Sequence, residues 1–182
     1  MRGSRRLIVL GALALGLRGT AEAKRRKRGK EHARDRGPVD HDKILAGLVT
    51  QLRFGLADDN LSLRDLEQKI ARGAVVECRC TRQSQLAVRA INRAGGRARV
   101  VGAFMYPFNT GPDTGHVMME VRDDGAWVCY DVMGKVQAID ADGVGSSLEN
   151  WCASPEPLWR RIDDDGGFYP TEQDLAAIYA KL

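Results

Sequence analysis

Three stretches of this chain carry apolar residues at three- and four-residue intervals, and a later region carries them at every second position. Ile44, Leu45, Leu48, Val49 and Leu52 form the first stripe, so a helix is expected over Asp40 to Leu56, capped by Asp40 or Asp42. Asp58-Asp59-Asn60 breaks that pattern. Ser62 then opens a second, shorter helix with Asp65 in a capping arrangement, Leu63, Leu66 and Ile70 as its stripe and Gly73 as its end. The third helix is expected over Thr81 to Ala94, ended by Gly95-Gly96, with Cys80, Ser84, Ala87, Ile91 and Ala94 on one face. Those small residues suit close approach to another element, while Arg82, Arg89 and Arg93 point elsewhere and can be solvated.

Arg97 to Tyr106 is rich in valine and aromatic residues and predicts a strand. Pro107 to Gly115 is turn chemistry throughout and predicts a loop. A hairpin follows, with His116–Val121 and Ala126–Val132 joined around Asp123-Asp124-Gly125. Val117, Met119, Val121, Val128, Tyr130 and Val132 share one parity and predict a buried face; His116, Met118, Glu120, Trp127, Cys129 and Asp131 share the other. A two-residue turn at Asp123-Asp124, or a four-residue loop over Arg122–Gly125, sets His116 directly opposite Asp131, with Cβ atoms roughly 5 Å apart. A turn at Asp124-Gly125 keeps both residues on one face but sets His116 against Met133. Lys135–Ile139 reads as one more strand, residues 140–170 as a long excursion, and Thr171 as the cap of a final helix through Tyr179. These elements together predict an α+β domain over residues 39–182, with helices toward its N-terminus and an antiparallel hairpin after them.

Charge separates the N-terminus from this domain. Arg2, Arg5 and Arg6 precede an eleven-residue apolar run, Leu7–Leu17, and Ala21-Glu22-Ala23 places small residues where a signal peptidase reads. Residues 1–23 are therefore expected to be a secretory signal, and the run is too short to span a bilayer. That implies a secreted or periplasmic protein. Residues 24–36 carry a net +6 and residues 1–23 carry +3, so residues 37–182 hold −5 of the chain's total of +4. The basic character thus belongs to the leader and to a disordered linker over 24–38, suited to an anionic surface such as lipid or cell-wall polymer. Nothing aromatic interleaves the basic block, so no nucleic-acid partner is expected.

The candidate chemistry lies in Cys80, His116 and Asp131. A thiol nucleophile, an imidazole base and a carboxylate that orients the base are the set required to attack an amide carbonyl. Cys80 stands at a helix start, where free amides and the helix dipole favour a thiolate, whereas Cys78 lies in the entering loop. His116 is the only histidine after position 41. With Cys80 as nucleophile, Cys78, Cys129 and Cys152 remain for at most one disulfide; Cys129–Cys152 and Cys78–Cys129 are both open.

These residues resemble the motifs of the transglutaminase-like superfamily. Cys80 is followed after fifteen residues by Gly95 and then by Ala98-Arg99-Val100-Val101, at the family's Ala-Arg-Val positions. His116-Val117-Met118-Met119-Glu120-Val121 is similar to the family's His-Ala-Trp-Val-Glu-Val. Gly125-Ala126-Trp127-Val128-Cys129-Tyr130-Asp131 is similar to Gly-x-Trp-x-x-x-Asp. The likeness covers roughly residues 40–135. It departs at Cys78, where the family has glycine; at Gln83-Ser84, where it has an aromatic-alanine pair; at Gly95-Gly96-Arg97, where it has Gly-Ile-Pro; and at Val132, where it has proline. The resemblance implies a papain-like fold, in which N-terminal helices, one of them headed by Cys80, pack on an antiparallel sheet, with a Cys80-His116-Asp131 triad, a peptide or protein substrate and no cofactor. The activity implied is a peptidase or amidase, with water favoured over an amine as the acyl acceptor. The first oxyanion donor is the Cys80 backbone N–H; Gln51, Gln83 and a loop amide are open as the second. Two rival readings are an inactive peptide-binding module of the same fold and a metal site from Cys78, Cys80, His116 and Cys129.

Overall fold

A computed structural model describes residues 39–104, 115–154 and 158–162. The expected leader and linker, nearly all of the loop 107–115 and the C-terminal helix lie outside these residues. The described chain is α+β. Its elements run α1 (His41–Val49), β1 (Leu52–Arg53), α2 (Leu63–Ala71), β2 (Val76–Glu77), α3 (Cys80–Ala94), β3 (Ala98–Phe104), β4 (Gly115–Asp123), β5 (Ala126–Asp131), β6 (Val136–Ile139), α4 (Leu148–Ala153) and β7 (Leu158–Arg161). Strands β3 to β7 form one antiparallel sheet in sequence order, and β1 and β2 form a small parallel pair.

Local chemistry accounts for the helix ends. Asp40 caps α1 by accepting from the Lys43 N–H at 2.9 Å, and Ser62 caps α2 by accepting from the Asp65 N–H at 3.2 Å. Gly95, in the left-handed conformation with φ 100°, ends α3. The first helix is shorter than its apolar spacing predicts. It stops at Val49, and the backbone that follows is claimed by β2: Gln51 O accepts from Val76 N–H at 2.9 Å and Arg53 O from Cys78 N–H at 3.1 Å. Leu52 is buried as a strand residue, as the helical stripe also expects of it, so its apolar character does not tell helix from strand. Helix α3 buries Gln83 and Leu86 as well as Ser84, Ala87 and Ile91. Arg89 and Arg93 are not merely solvated; both pair with Glu67 of α2, at 2.5 and 2.7 Å.

The core has two parts. Leu45, Val49, Leu66, Val76, Cys78, Leu86 and Ile91 from the helical half meet Met119, Val121, Val128, Tyr130 and Val132 on the predicted apolar face of the hairpin. The opposite face is also covered: its Met118, Cys129, Val136 and Ala138 pack with Leu148 and Trp151. The long excursion expected after residue 140 is what covers it. Within it, α4 and β7 return to the sheet, and β7 pairs with β6. The Trp151 indole N–H donates to Leu158 O, and Arg160 donates to Gln137.

Arg99, Glu120 and Trp127 hold this arrangement. Arg99 and Glu120 face each other across β3 and β4 and pair at 2.6 Å. The Arg99 guanidinium also lies 4.1 Å from the centre of the Trp127 ring. The second Glu120 oxygen accepts from Leu148 N–H at 2.9 Å, tying the start of α4 to the sheet.

Candidate active site

The β4–β5 register differs from direct His–Asp opposition. Met119 faces Tyr130 and Asp123 faces Ala126, so the turn is Asp124-Gly125. Both turn residues have positive φ, 42° and 88°, which a two-residue turn of this hand requires and which Asp-Gly supplies most readily. His116 and Asp131 are therefore diagonal neighbours on one face. Diagonal Cβ atoms lie about 7–8 Å apart, within reach of two such side chains. His116 Nε2 and Asp131 Oδ2 are 2.8 Å apart, and both side chains are buried.

Asp131 is held from its other side. Its Oδ1 accepts from Gly134 N–H at 3.0 Å, in the turn between β5 and β6. One carboxylate thus anchors a turn and orients the imidazole. An Asp followed by a Gly three residues later is a turn signature, the signal in the sequence that marks this anchor.

Cys80 heads α3 and packs against the second core cluster, the face that bears His116 and Asp131. Ser84, one turn along, donates to Val117 O at 3.1 Å and fixes the helix start over β4. Cys80 lies near enough to the His116 ring and the Val117 main chain for both to act on the ionisation of its thiol. With Nε2 on Asp131, Nδ1 is the ring nitrogen left for the thiol. Burial pushes the Cys80 thiol up, but the hydrogen bonds from His116 and Val117 and the charge on His116 outweigh it and bring it below its ordinary value. Burial acts on His116 in the opposite sense; the Asp131 carboxylate, with Cys80, overcomes it and raises the imidazole to about 10. The pair therefore favours thiolate and imidazolium.

The other thiols differ. Burial, with Asp59 and Asp58 nearby, pushes Cys78 up to about 12. Burial alone takes Cys152 to about 11, and burial foremost raises Cys129 well above its ordinary value. All four cysteines are free. Cys78 lies in the first core cluster and Cys129 in the second, so neither the Cys78–Cys129 bridge nor the four-residue metal set is assembled; Cys129 and Cys152 share the second cluster. Among the described residues, no three His, Cys, Asp or Glu side chains group as metal ligands would.

Gln83, one of the open oxyanion donors, is committed elsewhere. Its side-chain amide is buried and donates to Arg53 O at 3.0 Å and Cys78 O at 2.8 Å. Gln51 sits where α1 gives way to β1, with its side-chain carbonyl oxygen buried. Behind Asp131 lies a small, mostly apolar pocket lined by Met118, Cys129, Val136, Ala138, Trp151 and Trp159. It is about the size of a water molecule, too small for a substrate side chain. No protein-family model, no curated protein and no solved structure matches this chain.

Proposed function

We propose that this chain is an exported cysteine-dependent acyl-transfer enzyme of the transglutaminase-like, papain-like type, cleaving amide bonds with water as acceptor. One observation carries the reading: the His116 imidazole is held at 2.8 Å by the buried Asp131 carboxylate and acts on Cys80, the one of the four cysteines whose thiol is lowered. The Cys80 thiolate attacks the amide carbon and the C=O electron pair moves onto oxygen. The oxyanion forms beside the Cys80 backbone N–H at the start of α3. His116 gives its Nδ1 proton to the leaving nitrogen as the C–N bond breaks. Water, deprotonated by the same nitrogen, then attacks the thioester, and carboxylic acid and thiol are released. Asp131 keeps the ring in the required tautomer and stabilises its charged form.

The mature protein should release free amine and carboxylic acid from a peptide and simple-amide panel. Cys80→Ala and His116→Ala should abolish release. Binding of peptides without turnover by the wild type would support the inactive module instead. Incorporation of an added primary amine in place of water would make the enzyme a transferase.

A further inference from the structure

The three residues before Cys80 have every main-chain polar group engaged. Glu77 N–H donates to Asp58 Oδ2 at 3.0 Å, and Glu77 O accepts from Asp58 N–H at 2.9 Å. Cys78 N–H donates to Arg53 O at 3.1 Å, and Cys78 O accepts from Gln83 Nε2 at 2.8 Å. Arg79 N–H donates to Asp59 Oδ1 at 3.1 Å, and Arg79 O accepts from Gln83 N–H at 3.1 Å. Asp58 is itself gripped by Lys69, whose Nζ lies 2.6 and 2.7 Å from its two oxygens. The Asp58-Asp59 turn, read from sequence only as a helix breaker, is thus a clamp on the strand that delivers the nucleophile.

Arg79 is the N-cap of α3, yet its side chain makes no capping bond. Its Nε instead donates to Asp59 Oδ2 at 2.8 Å. One carboxylate therefore holds both the backbone and the side chain of the residue whose ψ sets the direction of Cys80. An ordinary Ser, Thr or Asp cap would turn its own side chain toward the free amides of the first helical turn. Here that end of the helix is fixed from outside.

We infer that Asp59 is a positioning residue for the Cys80 nucleophile, acting through the Arg79 main chain. The inference rests on the proposed role of Cys80. Because Arg79 is largely exposed, its ion pair with Asp59 contributes little by itself; the main-chain hydrogen bond does the positioning. Asp59→Asn retains an acceptor for Arg79 N–H, and Asp59→Ala does not.

The test is the rate and pH midpoint of Cys80 alkylation by iodoacetamide, read by peptide mapping, with thermal unfolding of each variant alongside. Asp59→Ala should slow Cys80 alkylation at neutral pH about tenfold and move its midpoint upward, since a displaced thiol loses His116 and the Val117 backbone. Asp59→Asn should stay within about twofold of wild type, because the main-chain bond survives. Should Asp59→Ala not fold, Arg79→Pro deletes the same N–H at a φ of −71° that proline accepts, and should give the same slowing. A folded Asp59→Ala or Arg79→Pro that alkylates Cys80 at the wild-type rate and midpoint overturns the inference. Failure of the reading beneath it looks different: wild-type Cys80 would show no selective reactivity at all.

Discussion

Replacing Asp131 with asparagine probes the triad through a conflict that the structure makes unavoidable. The carboxylate accepts on both oxygens, from His116 Nε2 on one side and from Gly134 N–H at 3.0 Å on the other. An amide has one accepting end and one donating end. If the asparagine oxygen faces His116, its NH₂ meets the Gly134 N–H, donor against donor. If it faces Gly134, the NH₂ meets His116 Nε2, which must then be the bare nitrogen. The ring proton moves to Nδ1, and the imidazole can no longer take a proton from Cys80. The first arrangement sets two buried N–H groups against each other, at about 1–3 kcal/mol; the second keeps both bonds but fixes the wrong tautomer. The urea midpoint should fall by about 1 M, given a denaturant slope of about 1–3 kcal/mol per molar. Amide hydrolysis should fall by about 10²–10⁴, since the general base and the charge that supports its protonated form are both impaired. The assays are urea unfolding, kcat/KM on a cleaved amide, and the pH profile of Cys80 alkylation. An Asp131→Asn variant that alkylates with the wild-type midpoint and turns over at the wild-type rate would refute the arrangement, whatever its stability.

Four further outcomes follow from the structure. Activity should need Cys80 ionised and His116 protonated, so it should rise as pH passes the lowered Cys80 value and fall near 10, where His116 releases its proton; a kcat/KM profile still rising beyond pH 11 would contradict this. The same sign governs stability: the share from His116 is present below its ordinary value and lost as pH rises through about 10, while the share from Cys80 is present above its ordinary value and lost as pH falls through its lowered one. Glu120→Ala removes the partner of Arg99 and the acceptor of Leu148 N–H; it should cost about 2–4 kcal/mol and speed hydrogen exchange over residues 148–153 before the rest of the fold, as read by mass spectrometry. Gly145→Ala would put a Cβ 2.7 Å from a Val128 methyl carbon and 2.8 Å from Gln137 Nε2; it should cost about 1–3 kcal/mol in urea unfolding, because the crowded atoms belong to β5 and β6 of the sheet.

The parts of this molecule legible in the sequence are those decided by local chemistry. Ser62 and Gly95 mark helix ends through capping and positive φ, properties of single residues. The apolar parity of Met119, Val121, Val128 and Tyr130 reports a face that must leave water. His116 and Asp131 share a face in every even-length hairpin, so their proximity does not depend on which such register forms. The register itself turned on whether Asp124-Gly125 or Asp123-Asp124 formed the turn; the preference of Asp-Gly for two positive φ values, given full weight, favours the pairing found. Other features depended on long-range partners. Leu52 leaves its helix because β2, more than twenty residues on, offers a strand to pair with. Helix α4 and strand β7 have six and four residues, too few for periodicity to show. Asp58, Asp59 and Gln83 bond main-chain atoms of distant residues, a role that side-chain patterning does not encode.

The central claim is that Cys80 is a thiolate nucleophile made by His116, and the protein carries its own controls in Cys78, Cys129 and Cys152. The most direct measurement is the fraction of each cysteine alkylated by iodoacetamide from pH 5 to 9 in the folded protein, by peptide mapping, for wild type and His116→Ala. Labelling should concentrate on Cys80, begin well below the ordinary thiol range, and lose that low-pH reactivity when His116 is removed, while the other three label slowly at every pH. Equal, slow labelling of all four thiols, or a Cys80 profile unchanged in His116→Ala, would contradict the account.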